Sequence, residues 1–223
     1  TSGLGAYVFF MSLISGSPSN AYILKELVEK EKLTEKEASH LLTFTYFSNP
    51  LFLTMMLSSM FTMKETIKII LIHYLANVII GILIRKKAPQ ISKNNQKLKE
   101  SNQKNTLTKS INKAITTLLM ILGTVTFYML ITYILTTLLG NNVLLKTGIS
   151  GFLEITNGLN NLAMLNISTK LKEVIAIAII SFGGLSIHTQ IKAILEDTKI
   201  CYRFFLKGRI MHACIGVLLI MIF

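Results

Sequence analysis

The residues of this chain that could do chemistry are polar groups set inside apolar runs. Ser17, Ser19 and Asn20 form one group, Ser48 and Asn49 a second, Glu154, Thr156 and Asn157 a third, and Ser181, Ser186, His188 and Gln190 a fourth. Hydroxyls, amides and a lone carboxylate in such settings hold a small polar solute through hydrogen bonds. They do not add up to a catalyst. His40, His73, His188 and His212 fall into no HExxH or other close ligand spacing, no glycine-rich Walker loop or GxSxG elbow occurs, and no nucleophile stands beside a base. The expectation is a protein that is not an enzyme, with no catalytic residue, no metal site and no cofactor, a coupling cation being left open. Glu154 is the sharpest residue, because an ionisable group deep in a membrane is costly unless it is paired or used. Its structural alternative is an ion pair with Lys146. His188 can relay a proton or simply bond a neighbouring helix.

The elements that carry these groups follow from composition. Of 223 residues, 51% are hydrophobic and 15% charged, with a mean hydropathy of +0.55. That balance is far from a soluble domain and points to a bilayer as solvent. Stretches 69–84, 114–139 and 210–223 contain no Asp, Glu, Lys or Arg, and a soluble helix of such length would show a polar stripe. The net charge of +12 is concentrated: residues 85–113 hold nine Lys or Arg against the single acid Glu100. No aromatic residue interleaves that basic run to stack on bases, so it reads as a cytoplasmic loop obeying the positive-inside bias, with no nucleic acid as partner. Cys201 and Cys214 form no CxxC pair and read as small apolar residues. The chain opens at Thr1 and ends in an apolar run without a recognisable signal peptide, the pattern of a piece of a longer protein.

The sequence also repeats itself. Ile14-Ser15-Gly16 recurs as Ile149-Ser150-Gly151, an offset of 135, and at the same offset Thr1, Leu4, Gly5, Val8, Leu24, Leu27, Thr34, Phe47, Thr54 and Gly81 meet an identical residue. Each half reads as a short apolar limb, a break, an exit limb, a polar turn and an interrupted helix. The first break is residues 15–20, with Gly16 and Pro18; the second is residues 150–158, with Gly151. The limb before the first break is eleven residues, reaching only about 16 Å, half a bilayer, which predicts a re-entrant hairpin. The helices that follow start at capping-type sequences, Thr34 to Glu37 and Ser168 to Glu173. They are interrupted at Phe47-Ser48-Asn49-Pro50 and at Phe182-Gly183-Gly184-Leu185.

If the basic loop is cytoplasmic, the first hairpin enters from the cytoplasm and the second from outside. Lys199, Arg203, Lys207 and Arg209 then fall in the cytoplasm as well. The predicted fold is an all-α, polytopic integral membrane bundle of two inverted-topology repeats, each with a re-entrant hairpin and an interrupted helix. The first repeat covers residues 1–84, the basic loop 85–113 and the second repeat 114–223. Non-helical backbone at membrane depth is tolerated only where protein buries it or a polar cavity lines it, so two tips and two interruptions mark a site. Taken singly, each break is better explained as a packing or kink device, and it is the four together in repeat-related positions that point to a site.

The motifs 15–21, 33–38, 47–52, 151–156 and 181–188 together resemble the nucleoside-recognition, or Gate-domain, membrane family, in its sporulation branch. The resemblance covers nearly the whole chain. It implies a multi-pass protein of the bacterial cell membrane, architecturally related to nucleoside transporters, with a nucleoside-like solute and a sporulation role. The resulting expectation is a transporter-like protein binding or moving a small polar solute at the repeat interface. The alternative is a non-transporting membrane protein required for spore envelope or cortex formation. The bilayer is the expected partner; oligomeric state is not readable from the sequence.

Overall fold

The computed structural model describes residues 3–85, 106–140 and 142–223. Residues 86–105, which make up most of the basic loop, lie outside the described part. The described residues are helical, with no strand among them. Four helices are long and apolar enough to cross a membrane: 63–83, 110–138, 169–195 with a break inside it, and 202–222. The protein is therefore a multi-pass helical membrane protein.

The order is α1 (Gly3–Ser15), α2 (Ser19–Glu29), α3 (Glu35–Leu42), α4 (Pro50–Leu57), α5 (Met63–Leu83), α6 (Thr106–Leu138), α7 (Val143–Leu153), α8 (Ile155–Ala163), α9 (Thr169–Phe182), α10 (Gly184–Leu195) and α11 (Tyr202–Ile222). Local sequence sets most boundaries. Thr34 and Glu37 close a capping box on α3, and Thr62 and Glu65 close another on α5, each satisfying amides a helix start leaves open. Asn142 caps α7 and Ser168 caps α9 through side-chain oxygens. Pro50 opens α4, where its missing N–H costs nothing. At the far ends, the Lys172 ammonium donates to Ala163 O at 3.0 Å and that of Lys170 to Ile220 O at 2.5 Å, closing the last carbonyls of α8 and α11.

Two apolar cores divide the bundle. Core one gathers α2 and α3 (Ala21, Leu24, Leu27, Ala38, Leu41, Leu42) with Val8, Ile80, Ile191, Ile194, Leu195 and Phe205. Core two gathers α4 and α8 (Leu53, Leu57, Ile155, Leu159, Leu162) with Ile69, Ile72, Ala176, Ile177, Ile180 and Ile220. Each core mixes both halves of the chain, so neither half closes a core alone. The chain passes between them in opposite senses. α3 to α4 runs from core one to core two, whereas α9 to α10 runs from core two to core one; α5 ends in core one and α11 ends in core two.

Ion pairs tie the two ends. Lys25 meets Asp197 at 3.5 Å and Lys113 meets Glu26 at 3.2 Å beside core one, and Lys68 meets the buried Glu173 at 2.5 Å beside core two. The apolar window of α6 is 6% buried against 33–61% in the other three spans, so α6 flanks the bundle and faces outward. Besides the Lys113–Glu26 pair, it is held by Tyr128 to Thr189 at 2.7 Å and by Gln190 to Thr124 at 2.8 Å.

One expectation is corrected here. The second break is not residues 150–158: α7 runs through Ser150 and Gly151 to Leu153, and only Glu154 is extended between α7 and α8. Gly151 does not break the helix. A Cβ at Gly158 would overlap the Gly151 backbone, so these two glycines let α7 and α8 pack main chain to main chain. The first break falls where it was expected but is shorter than residues 15–20: Ser15 ends α1, Gly16 is left-handed at φ 74°, and Ser19 and Asn20 already belong to α2, which starts after Pro18.

Candidate functional site

Between the two cores lies a buried polar layer built around the interruptions. In the first, residues 43–49 leave the helix, and Thr43, Thr45, Tyr46, Phe47 and Ser48 are all buried. Unwound backbone in an apolar bundle must find partners. One face of α5 supplies them. Ser48 N–H donates to His73 Nε2 at 3.2 Å, Tyr74 Oη donates to Ser48 O at 3.2 Å, and Asn77 Nδ2 donates to Tyr46 O.

The second interruption is two left-handed glycines, Gly183 at φ 94° and Gly184 at φ 63°, a conformation that L side chains rarely adopt. Here α11 and α10 supply the partners. Arg209 Nη1 donates to Ser181 O at 3.3 Å, and His188 Nε2 lies 3.1 Å from Phe182 O, its Nδ1 being 2.6 Å from Tyr202 Oη. The repeat offset reappears at this level: Tyr46 and Ser181 are 135 apart, as are Tyr74 and Arg209, and Asn77 and His212. Related carbonyls are thus held from related helices.

Arg209 is the centre of the layer. It is 0% exposed, yet it lies in an apolar span and makes no ion pair among the described residues. Its guanidinium donates to Ser181 O, to Thr43 O at 3.4 Å, to Asn77 Oδ1 at 3.3 Å and to His212 Nδ1 at 2.7 Å. It also stacks 4.1 Å from the Tyr46 ring centroid and 5.4 Å from that of Phe205. Because Arg209 can only donate, His212 Nδ1 accepts and its ring proton sits on Nε2, which donates to His73 O at 2.8 Å. The same logic places the His73 proton on Nδ1, since Nε2 accepts from Ser48. The close approach depends on Gly208, where a Cβ would overlap the Thr43 carbonyl oxygen.

Several buried polar atoms in or beside this layer have no partner among the described residues: Arg209 Nε, His73 Nδ1, Ser181 Oγ, Thr45 Oγ1 and Thr43 Oγ1. Such atoms are rare in a finished interior.

The twelve polar residues singled out in the sequence divide by place. Ser48, Ser181 and His188 lie in the layer. Glu154 is 3% exposed and caps α8, its Oε2 accepting from Asn157 N at 2.9 Å and from Thr156 Oγ1; no ion pair joins it to Lys146. A Cβ at Gly184 would stand 3.3 Å from Glu154 Cα, so the second tip presses on the second interruption. Asn49 does the corresponding work in the first half. It caps α4, its Nδ2 donates to Ile14 O at 3.1 Å, and a Cβ at Gly16 would meet its nitrogen at 2.9 Å. Ser17 Oγ and both polar atoms of the fully buried Asn20 are unpartnered at the first tip, next to Ser19. Gln190 faces α6, and Ser186 is buried on the same helix.

Arg209 overturns one expectation. It does not share the exposed surface of Lys199, Arg203 and Lys207, with which the sequence groups it; it is fully buried between the cores. His73, Asn77 and His212 belong beside it and were also not among the predicted groups. A signal was present, since His73 and Asn77 stand four apart and Arg209 and His212 three apart, each pair on one helix face.

Taken together, the fold and the polar layer define a multi-pass helical membrane protein whose interrupted helices converge on a buried, positively charged centre. No family model matches the chain, and no solved structure does. The chain is similar to the sporulation integral membrane protein YlbJ of Bacillus subtilis (strain 168), with 26% identity over 260 aligned positions that cover 99% of this chain. The similarity extends over essentially the whole of this chain, which spans 64% of the length of that relative.

Proposed function

We propose that this chain is a transporter-like membrane protein that binds or moves a small polar solute where its two interrupted helices meet. The observation that carries the reading is Arg209, a fully buried cation with neutral partners and unpartnered polar atoms around it. Leaving a charge at such a place is costly, and intramembrane ionisable residues mark solute pathways. A centre with a positive charge and no acid favours a solute that carries negative charge.

The two halves are read as inverted repeats with re-entrant hairpins, each forming a Gate-type unit on either side of loop 85–113. Support comes from the opposite senses in which α3–α4 and α9–α10, and α5 and α11, pass between the cores. It also comes from α1 and α7, which at thirteen and eleven residues reach only about 20 and 16 Å and are too short to cross. Core one is then the cytoplasmic end and core two the outer end. Alternating access at the repeat interface follows the pattern of transporters with broken helices.

The test is thermal stabilisation of the purified full-length protein against nucleosides, nucleobases, amino acids, small carboxylates and phosphate, repeated with Glu154→Ala and Ser48→Ala. A compound that raises the melting temperature of the parent but of neither variant supports the reading and gives the solute class. Silence across the panel, with a cooperative melt retained, sinks it. Similarity to a sporulation integral membrane protein favours a second reading, in which the chain is a non-transporting membrane protein with a role in sporulation, such as spore envelope or cortex formation. That protein would tolerate Glu154→Ala and fail when loop 85–113 is replaced.

A further inference from the structure

We propose that the Arg209 guanidinium fills the place of a coupling cation, so that the solute site works without a bound sodium or other metal ion. The inference rests on the transporter reading above. Transporters with discontinuous helices hold their coupling cation on unwound carbonyls and on the C-terminal ends of half-helices, which carry partial negative charge. Those are the groups gathered here. Thr43 O is at the C-cap of α3, and Ser181 O lies in the last turn of α9, two residues before Gly183. Asn77 Oδ1 and His212 Nδ1 complete a ring of four neutral acceptors from four separate elements.

A metal cation would find in this ring the converging neutral acceptors, dry surroundings and helix ends that it needs. The ring is already occupied by a side chain. Arg209 reaches it from α11, whose Gly208 lies flush against the Thr43 carbonyl, so the charge is delivered by covalent tether rather than by diffusion. The Tyr46 and Phe205 rings cover it with π-faces instead of an acid. A second cation at this spot would meet a like charge at contact distance. The related position in the first half is Tyr74, a neutral group that reaches Ser48 O, so only one interruption carries a built-in charge. A fixed cation also balances a negatively charged solute in both directions of access, which a sodium ion would do only when loaded.

The experiment uses the purified full-length protein in detergent, melted at equal ionic strength in sodium, potassium and choline chloride. The parent should melt at one temperature in all three. Arg209→Ala should melt lower in choline and regain several degrees in sodium, the metal ion settling into the vacated ring. Arg209→Lys keeps a tethered charge and should stay indifferent to the cation. A parent stabilised by sodium over choline overturns the proposal, and this arm needs no variant to fold. Rescue of Arg209→Ala by dilute guanidinium but not by sodium also overturns it, because the ring would then be shaped for the side chain alone. These arms contain no solute, so failure of the transporter reading, seen as a silent solute panel, is recorded separately.

Discussion

Asn77 and Asn49 carry the same side chain at two kinds of place, and comparing them separates structural capping from the work of the polar layer. Asn49 is half-buried and caps α4, so Asn49→Ala costs about 1 kcal/mol, the usual loss of an N-cap. Asn77 is fully buried, donates to Tyr46 O and accepts from Arg209. Its replacement by Ala strips a buried carbonyl of its donor and a buried cation of one acceptor, a loss of about 2–4 kcal/mol. Thermal or SDS unfolding should therefore rank Asn77→Ala well below Asn49→Ala. Equal losses would mean that water enters the layer and that its groups are not dry. Glu154 behaves by the same logic. As a cap for α8 it needs only an acceptor oxygen, so Glu154→Gln should fold like the parent while Glu154→Ala loses the cap.

Among the elements, the interruptions matter through how closely neighbouring backbone can approach them. At Gly208 the backbone of α11 lies against the Thr43 carbonyl at the C-terminal end of α3, and at Gly123 of α6 an added Cβ would meet nothing within 4 Å. Gly208→Ala must push α11 away from Thr43 and carry Arg209 off its carbonyls, costing about 3 kcal/mol or more by overpacking alone. Gly123→Ala should be neutral or stabilising by up to about 1 kcal/mol through helix propensity. Parallel unfolding curves for the two variants check this, and a mild Gly208→Ala would show that α11 slides freely past α3. The second interruption was legible from the paired Gly183 and Gly184, and the end of the first from Pro50, because local chemistry forces the backbone to open there; its start at Thr43, four residues before Phe47, was not. The second tip was not legible in the same way. Gly151 looks like a break but serves as a contact with Gly158, and nothing in the neighbouring residues distinguishes the two uses.

For the whole molecule, the inverted reading makes a prediction about sides. With Cys201 and Cys214 replaced by Ser, single cysteines at Lys30 and Arg85 should label only after permeabilisation, and those at Asn142 and Met164 should label in intact cells. The pairs flank the hairpins, so each tests whether a hairpin returns to the face it entered from. Lys30 labelling from outside, or Met164 from inside, would make the short helices a crossing and remove the repeat symmetry. The ion pairs agree with the expected grouping, since Lys25 with Asp197 and Lys113 with Glu26 join segments assigned to one face.

By itself the sequence determined that the chain spans a membrane several times, that its helices open beside Gly16, before Pro50 and at Gly183-Gly184, and that identical residues recur at an offset of 135. These are local properties: hydropathy over about 20 residues, and the backbone freedom of single glycines and prolines. Only the tertiary structure decided what Arg209 does. Read along the chain it is one more basic residue after Lys199, Arg203 and Lys207, in the place where the positive-inside bias expects it. Its depth is set by acceptors 166, 132 and 28 residues away in the chain, at Thr43, Asn77 and Ser181. A charge can be buried only where such groups converge, and their convergence depends on both interruptions being packed against one another, which no stretch of sequence encodes alone.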